Sequence, residues 1–146
     1  MLRRPIKFVD LDEVEREEDF YFNLSKTDLI KMEAETDGGL EARIARITRE
    51  KNVAKLIMEI GNIVKLAYGE RSDDGKRFVK SPEISKMFED TPAYDALIWE
   101  LSTSDEAAAT FFKGVMPKEL EAEVQKLIDQ QGIVLPTLPP PPPQGV

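Results

Sequence analysis

Cysteine and histidine are both absent from the chain. Their absence excludes disulfides, thiolate nucleophiles, cysteine-ligated zinc and imidazole acid–base chemistry, leaving carboxylates as the main candidates for proton transfer. There are 28 of these, so rarity does not single one out. Acidic pairs such as Glu33 and Glu35, Asp73 and Asp74, or Glu89 and Asp90 read as solvated helix ends and loops. No glycine spacing matches a phosphate loop or a dinucleotide fingerprint. Asp73-Asp74-Gly75 begins like a calcium loop, but Ile84 stands where that loop needs its bidentate glutamate. No apolar run is long enough to span a membrane, and Met1-Leu-Arg-Arg-Pro5 leads into Ile6-Lys-Phe-Val-Asp10 rather than an apolar signal core. The formal net charge of -8 repels nucleic-acid phosphates. The basic residues Lys76, Arg77 and Lys80 around Phe78 are too few to reverse that. These absences predict a protein with no enzymatic activity, no cofactor, no metal, no nucleic-acid partner and no membrane, one that works by holding another protein.

What is present suits a single acidic domain. A hydrophobic content of 41% supports one core, and 33% charged residues keep its surface solvated. The expected fold class is mainly α (α+β): a compact multi-helix domain over residues 1–131, with a β-hairpin at about 5–24. A disordered proline-rich tail is expected at 132–146, where Pro136 and Pro139 to Pro143 make up six of the ten prolines. The hairpin reading rests on Ile6–Leu11 and Glu18–Leu24, with Phe20, Phe22 and Leu24 sharing one parity. Ser25 and Asp28 form a capping-box pattern for a helix to about Glu35, which Asp37-Gly-Gly39 stops. A second helix carries Leu40, Ile44 and Ile47. Asn52 caps the strongest helix, in which Val53, Leu56, Ile57, Ile60, Ile63, Val64 and Ala67 form one stripe that Tyr68-Gly69 ends. Asp74-Gly75 signals a tight turn, suited to a second small hairpin. Ser81-Pro82, Thr91-Pro92 and Ser104-Asp105 start three more helices, and Met116-Pro117 feeds a last one with Leu120, Val124, Leu127 and Ile128. About seven helices are expected. The candidate partner-contact residues are Phe20, Phe22, Trp99, Phe111 and Phe112, with core packing as the competing reading of each.

Four stretches carry a family resemblance: Glu18–Leu29, Asp37–Ala42, Leu66–Ser81 and Ala107–Pro117. In their order and spacing the chain resembles tail assembly chaperones of long-tailed, siphovirus-like bacteriophages. The resemblance spans about residues 5 to 120. It implies an acidic, mostly helical protein of the host cytoplasm, absent from the mature virion. Such a protein coats the tape measure protein and helps recruit tail tube subunits, and self-association is compatible with it. Members are often made in two forms by a programmed frameshift. The oligoproline run would permit a slippery cytidine stretch in the message, and since no extension domain is identifiable the chain would be the short form. The competing readings are a structural tail or head completion protein of the virion, and a regulatory adaptor that docks its polyproline tail in a groove.

Overall fold

A computed structural model describes residues 1–35 and 37–117, apart from the side chains of Leu40, Glu41, Ile44 and Thr48. The last expected helix, the domain boundary at 131 and the proline-rich tail lie outside the described residues. The chain begins with two strands, β1 (Leu2–Val9) and β2 (Glu15–Phe22). Three helices follow, α1 (Lys26–Glu35), α2 (Gly39–Arg49) and α3 (Val53–Ala67). Next come β3 (Tyr68–Arg71) and β4 (Phe78–Val79), then α4 (Pro82–Glu89), α5 (Pro92–Thr103) and α6 (Asp105–Val115).

The fold class differs from the expectation. The hairpin is part of a four-stranded antiparallel sheet of order β1-β2-β3-β4, so the architecture is α+β rather than a mainly helical body with a lone hairpin. Tyr68 and Gly69 end α3 by turning directly into β3, where they pair with Phe22 and Tyr21 of β2. β3 then pairs with β4 across the turn at Asp74-Gly75, in which Gly75 takes a φ of 72°. Strands of four and two residues are too short to register as an alternating pattern, which is why sequence periodicity understates the sheet. Gly69 is required by contact: a Cβ there would lie 2.7 Å from the Phe78 ring and 2.9 Å from the Val79 carbonyl oxygen.

The helix starts follow the local chemistry. The Ser25 hydroxyl accepts from the Asp28 amide at 3.0 Å, while the Asp28 carboxylate accepts from the Ser25 amide at 2.9 Å, a reciprocal capping box. Asn52, Ser81, Thr91 and Ser104 each accept an amide from the first turn of α3, α4, α5 and α6. Along α3, Leu56, Ile60, Ile63, Val64 and Ala67 are fully buried, making this helix the spine of the core. Phe22, Phe88, Phe111, Phe112 and Tyr68 pack around it, with Tyr68 and Phe88 stacked at 4.1 Å between ring centroids. Removing each such side chain from water stabilises the fold by roughly 2 kcal/mol.

Candidate functional site

β1 and β2 pair along their whole length, from Leu2 opposite Phe22 to Val9 opposite Glu15. The two strands of this hairpin meet the core differently: β1 sends Ile6 into it and packs Phe8 against it, whereas β2 reaches it only near its C-terminal end. On β2, Phe22 is buried and Phe20 and Tyr21 are half-buried, whereas Glu15, Arg16, Glu17, Glu18 and Asp19 are all exposed. The far half of β2 therefore forms an arm, held by its own turn and by pairing to β1, whose Ile6 and Phe8 rest on the core. In that turn the Asp10 amide donates to the Val14 carbonyl at 2.9 Å, and the Asp10 carboxylate accepts from the amides of Asp12 and Val14 and from Arg16 Nε. The Arg16 hydrogen bond is the largest cause holding the Asp10 carboxyl below its ordinary pKa. Glu13 takes a left-handed φ of 63°, the conformation that closes a three-residue hairpin loop.

The arm is both acidic and apolar. From Lys7 to Asp19 the sequence has seven carboxylates against two cations, a net -5 within a chain of net -8. Leu11 is 88% exposed, Val9 53% and Val14 47%, so the tip offers apolar area within that charge. A shallow hollow of about 440 Å³ is lined by Lys7, Phe8, Val9, Glu15, Arg16 and Glu17. Lys7–Glu17 at 3.9 Å and Arg3–Asp19 at 4.0 Å are cross-strand ion pairs on the solvent face. Exposed pairs this long contribute little to stability.

Pro5 fixes which backbone groups of the arm are free. Proline has no amide hydrogen, so Pro5 and its partner Asp19 form a non-hydrogen-bonded pair. By alternation, the β1 ladder uses the even-numbered residues of β2. The odd-numbered residues Glu15, Glu17, Asp19 and Tyr21 turn their amides and carbonyls to the other edge. The next odd-numbered residue agrees: the Asn23 amide donates to the Ala67 carbonyl, on the β3 side, at 2.8 Å. β3 covers this edge only at Tyr21 and Phe22, then leaves to pair with β4. Among the described residues, no strand covers the edge from Glu15 to Phe20.

Of the five candidate contact residues, Phe22, Phe111 and Phe112 lie in the core and offer no contact area in this conformation. Phe20 is half-buried, with ring contacts to Phe8 at 6.4 Å and Phe88 at 5.2 Å. Trp99 is 58% exposed on α5. Its neighbour Glu100 is ion-paired with Arg4 of β1, which ties this helix to the hairpin base. The structure thus separates the five into three core residues, one at the core margin and one surface residue.

Sequence reasoning missed the exposed tip and the role of Lys80. Leu11 reads in sequence as the end of the first strand and Val14 as part of the acidic link, whereas β1 ends at Val9 and both lie in the exposed turn region. Lys80 leaves the solvated turn of Lys76 and Arg77 and donates to the carbonyls of Asn23 and Leu66, the latter at 3.0 Å, and to the Asp28 carboxylate at 2.9 Å. One ammonium thereby joins the end of β2, the first turn of α1 and the last turn of α3. Burial works to raise the Asp28 pKa, but the Ser25 amide and Lys80 outweigh it and hold the carboxyl below its ordinary value. Lys80 lines a groove of about 610 Å³ with Asp28, Arg43, Lys65, Leu66 and Ser85. Its cations are used internally: Lys80 holds Asp28, and Lys65 holds Glu89 at 2.8 Å. Among the described residues, no group of three or more acidic side chains is placed to hold a metal ion. No described helix is long and apolar enough to cross a membrane.

A family model described as phage tail assembly chaperone matches residues 1–136. No curated protein and no solved structure matches the chain.

Proposed function

The chain belongs to the phage tail assembly chaperone family, and from that premise we propose that it binds the tape measure protein and helps recruit tail tube subunits, acting by contact and release without turnover. The supporting observation is the surface: Leu11, Val9 and Val14 at the arm tip and Trp99 on α5 are exposed large hydrophobics on a strongly acidic chain. A holder of a long aggregation-prone chain needs apolar contact area, and net negative charge limits its own association. Each small patch gives a weak contact, which suits a partner that is later displaced. The protein acts in the host cell and is left out of the finished particle. The family reading further proposes two forms made by a programmed frameshift, with the oligoproline run at the join.

Coexpression with the neighbouring tape measure gene tests this reading. The tape measure protein is expected in the soluble fraction only when the chaperone is present. Equal solubility alone would overturn the reading. Mass spectrometry of purified particles is expected to find no copy of this chain, whereas a stoichiometric presence would make it a virion component. A slippery cytidine run across the codons for Leu138 to Gln144, followed by an open overlapping frame, is the expected sign of the longer form.

A further inference from the structure

We propose that the edge of β2 left uncovered among the described residues is a strand-addition site, which takes an extended partner segment alternating lysine or arginine with apolar residues. The inference rests on the reading that the protein works by holding another chain, and it specifies the conformation and chemistry of what is held. The edge from Glu15 to Phe20 presents the amides and carbonyls of Glu15, Glu17 and Asp19, and adding a strand there pairs them in the way an exposed sheet edge pairs with an extended peptide.

The side chains select the occupant. Glu15, Glu17 and Asp19 share the solvent face of the hairpin, because they sit opposite Val9, Lys7 and Pro5, all of them exposed. A strand beside them meets three carboxylates on that face, so cations at alternate positions are favoured. On the opposite face the neighbours are Arg16, Glu18 and Phe20, with Phe20 in contact with Phe8 and Ile6 beside them on β1, so an apolar residue next to Phe20 extends the apolar surface while the positions beside Arg16 and Glu18 tolerate one. β1 shows that β2 accepts this type of strand: Leu2-Arg-Arg-Pro-Ile-Lys-Phe-Val9 sets Arg3 and Lys7 opposite Tyr21 and Glu17, with Ile6 and Phe8 on the inner face. The proposed occupant copies that pattern on the other side of β2.

A second copy of this chain is a poorer occupant. Its open β2 edge would set Glu15, Glu17 and Asp19 against the same carboxylates, and on the outer edge of its β1 Pro5 removes the central donor with Arg3 and Lys7 flanking the gap. Between Glu15 and Phe20 β2 has no proline, and its carboxylates repel a second acidic copy but not a cationic strand.

The probe is a peptide alternating lysine and valine over the length of β2, compared with a block isomer of the same composition. Amide hydrogen exchange of the full chain is read by NMR. In the free protein the amides of Glu15, Glu17 and Asp19 are expected to exchange fast, and those of Arg16, Glu18 and Phe20 slowly. The alternating peptide is expected to slow the first three by about tenfold or more, with the block isomer leaving them unchanged. Glu17→Pro removes one open-edge donor while sparing the β1 ladder, and is expected to weaken peptide binding about tenfold with little loss of thermal stability. Glu17→Gln keeps that donor and should lose less. Equal binding of both isomers without protection of the three amides would overturn the proposal in favour of charge attraction alone. Protection that rises with protein concentration in the absence of peptide would overturn it in favour of self-association. Should Glu17→Pro unfold, the exchange pattern of the unaltered chain decides. Failure of the peptide leaves the tape measure coexpression result untouched, so the two readings fail separately.

Discussion

The two ends of β2 lie in opposite surroundings, one in the core and one in solvent. Phe20 to Phe22 enter a cluster of aromatic rings, with Phe22 fully buried beside Tyr68, Phe88 and Phe111. Glu15 to Asp19 are exposed throughout. One strand is thus held by burial at one end, and at the other by ladder bonds and the Asp10 turn network. Burial is cooperative and strong, whereas exposed hydrogen bonds exchange with water and contribute modestly. The core end should therefore set the global stability, leaving the arm free to present carboxylates, apolar side chains and a strand edge.

The sharpest way to break this contrast is to truncate the core end. Phe22→Ala is expected to cost about 3–5 kcal/mol, enough to unfold a marginally stable domain. Glu17→Ala, on the same strand, should shift stability by no more than about 0.5 kcal/mol. Thermal or urea melts of the two variants check the comparison, and similar losses would show that the arm is folded into the core. Next in size is Lys80→Met, which keeps the aliphatic stem but removes the ammonium bridging Asn23, Asp28 and Leu66. Losing these charge-assisted bonds is expected to cost about 2 kcal/mol. Lys76→Met in the exposed turn should cost almost nothing, and the difference is read from the same melts.

The same contrast explains what was legible in the sequence. Helices α3 to α6 follow cap residues and apolar spacing that are contiguous along the chain, so their starts at Asn52, Ser81, Thr91 and Ser104 could be read directly. Contacts that join distant segments left no local mark. Lys80 resembles Lys76 and Arg77 in sequence, and only its partners Asn23, Asp28 and Leu66, between 14 and 57 residues away, distinguish it. Likewise β3 was hidden behind the end of α3, since Tyr68 and Gly69 stop a helix as well as they begin a short strand. Among the candidate contacts, aromatic identity did not separate Phe111 and Phe112 from Trp99. Helix face did: the two phenylalanines lie on the buried side of α6, and Trp99 lies off the Leu97, Ile98 and Leu101 stripe of α5. The open edge of β2 needed both the Pro5 register and the departure of β3, neither of which a single segment reveals.

A smaller effect follows from pH. Asp28 has its folded pKa below the ordinary aspartate value of 3.8. Its contribution to stability is therefore fully present above the ordinary value and is lost as pH falls through the lower folded one. Asp28→Asn keeps an acceptor for the Ser25 amide but removes the charge that Lys80 holds. The variant is expected to be less stable near neutral pH and to show a shallower loss of stability on acidification below about pH 5. Melting curves across the acid range check it, and parallel curves for the two proteins would remove Asp28 from the core-side linkage.

The smallest expected effect sharpens the comparison from the arm side. Glu13 is the single described residue other than glycine with positive φ, and a side chain in that conformation carries a steric cost of roughly 1 kcal/mol or slightly more. Glycine adopts it freely, although its greater freedom in the unfolded chain returns part of the gain. Glu13→Gly is thus expected to stabilise by at most about 1 kcal/mol. Where that stabilisation is seen matters more than its size. If the arm opens independently of the core, exchange of the Arg16 and Glu18 amides should slow while the global melting temperature hardly moves. A rise in global stability without a change in those two amides would mean that arm and core open as one unit, and the division of β2 into two differently held ends would not stand.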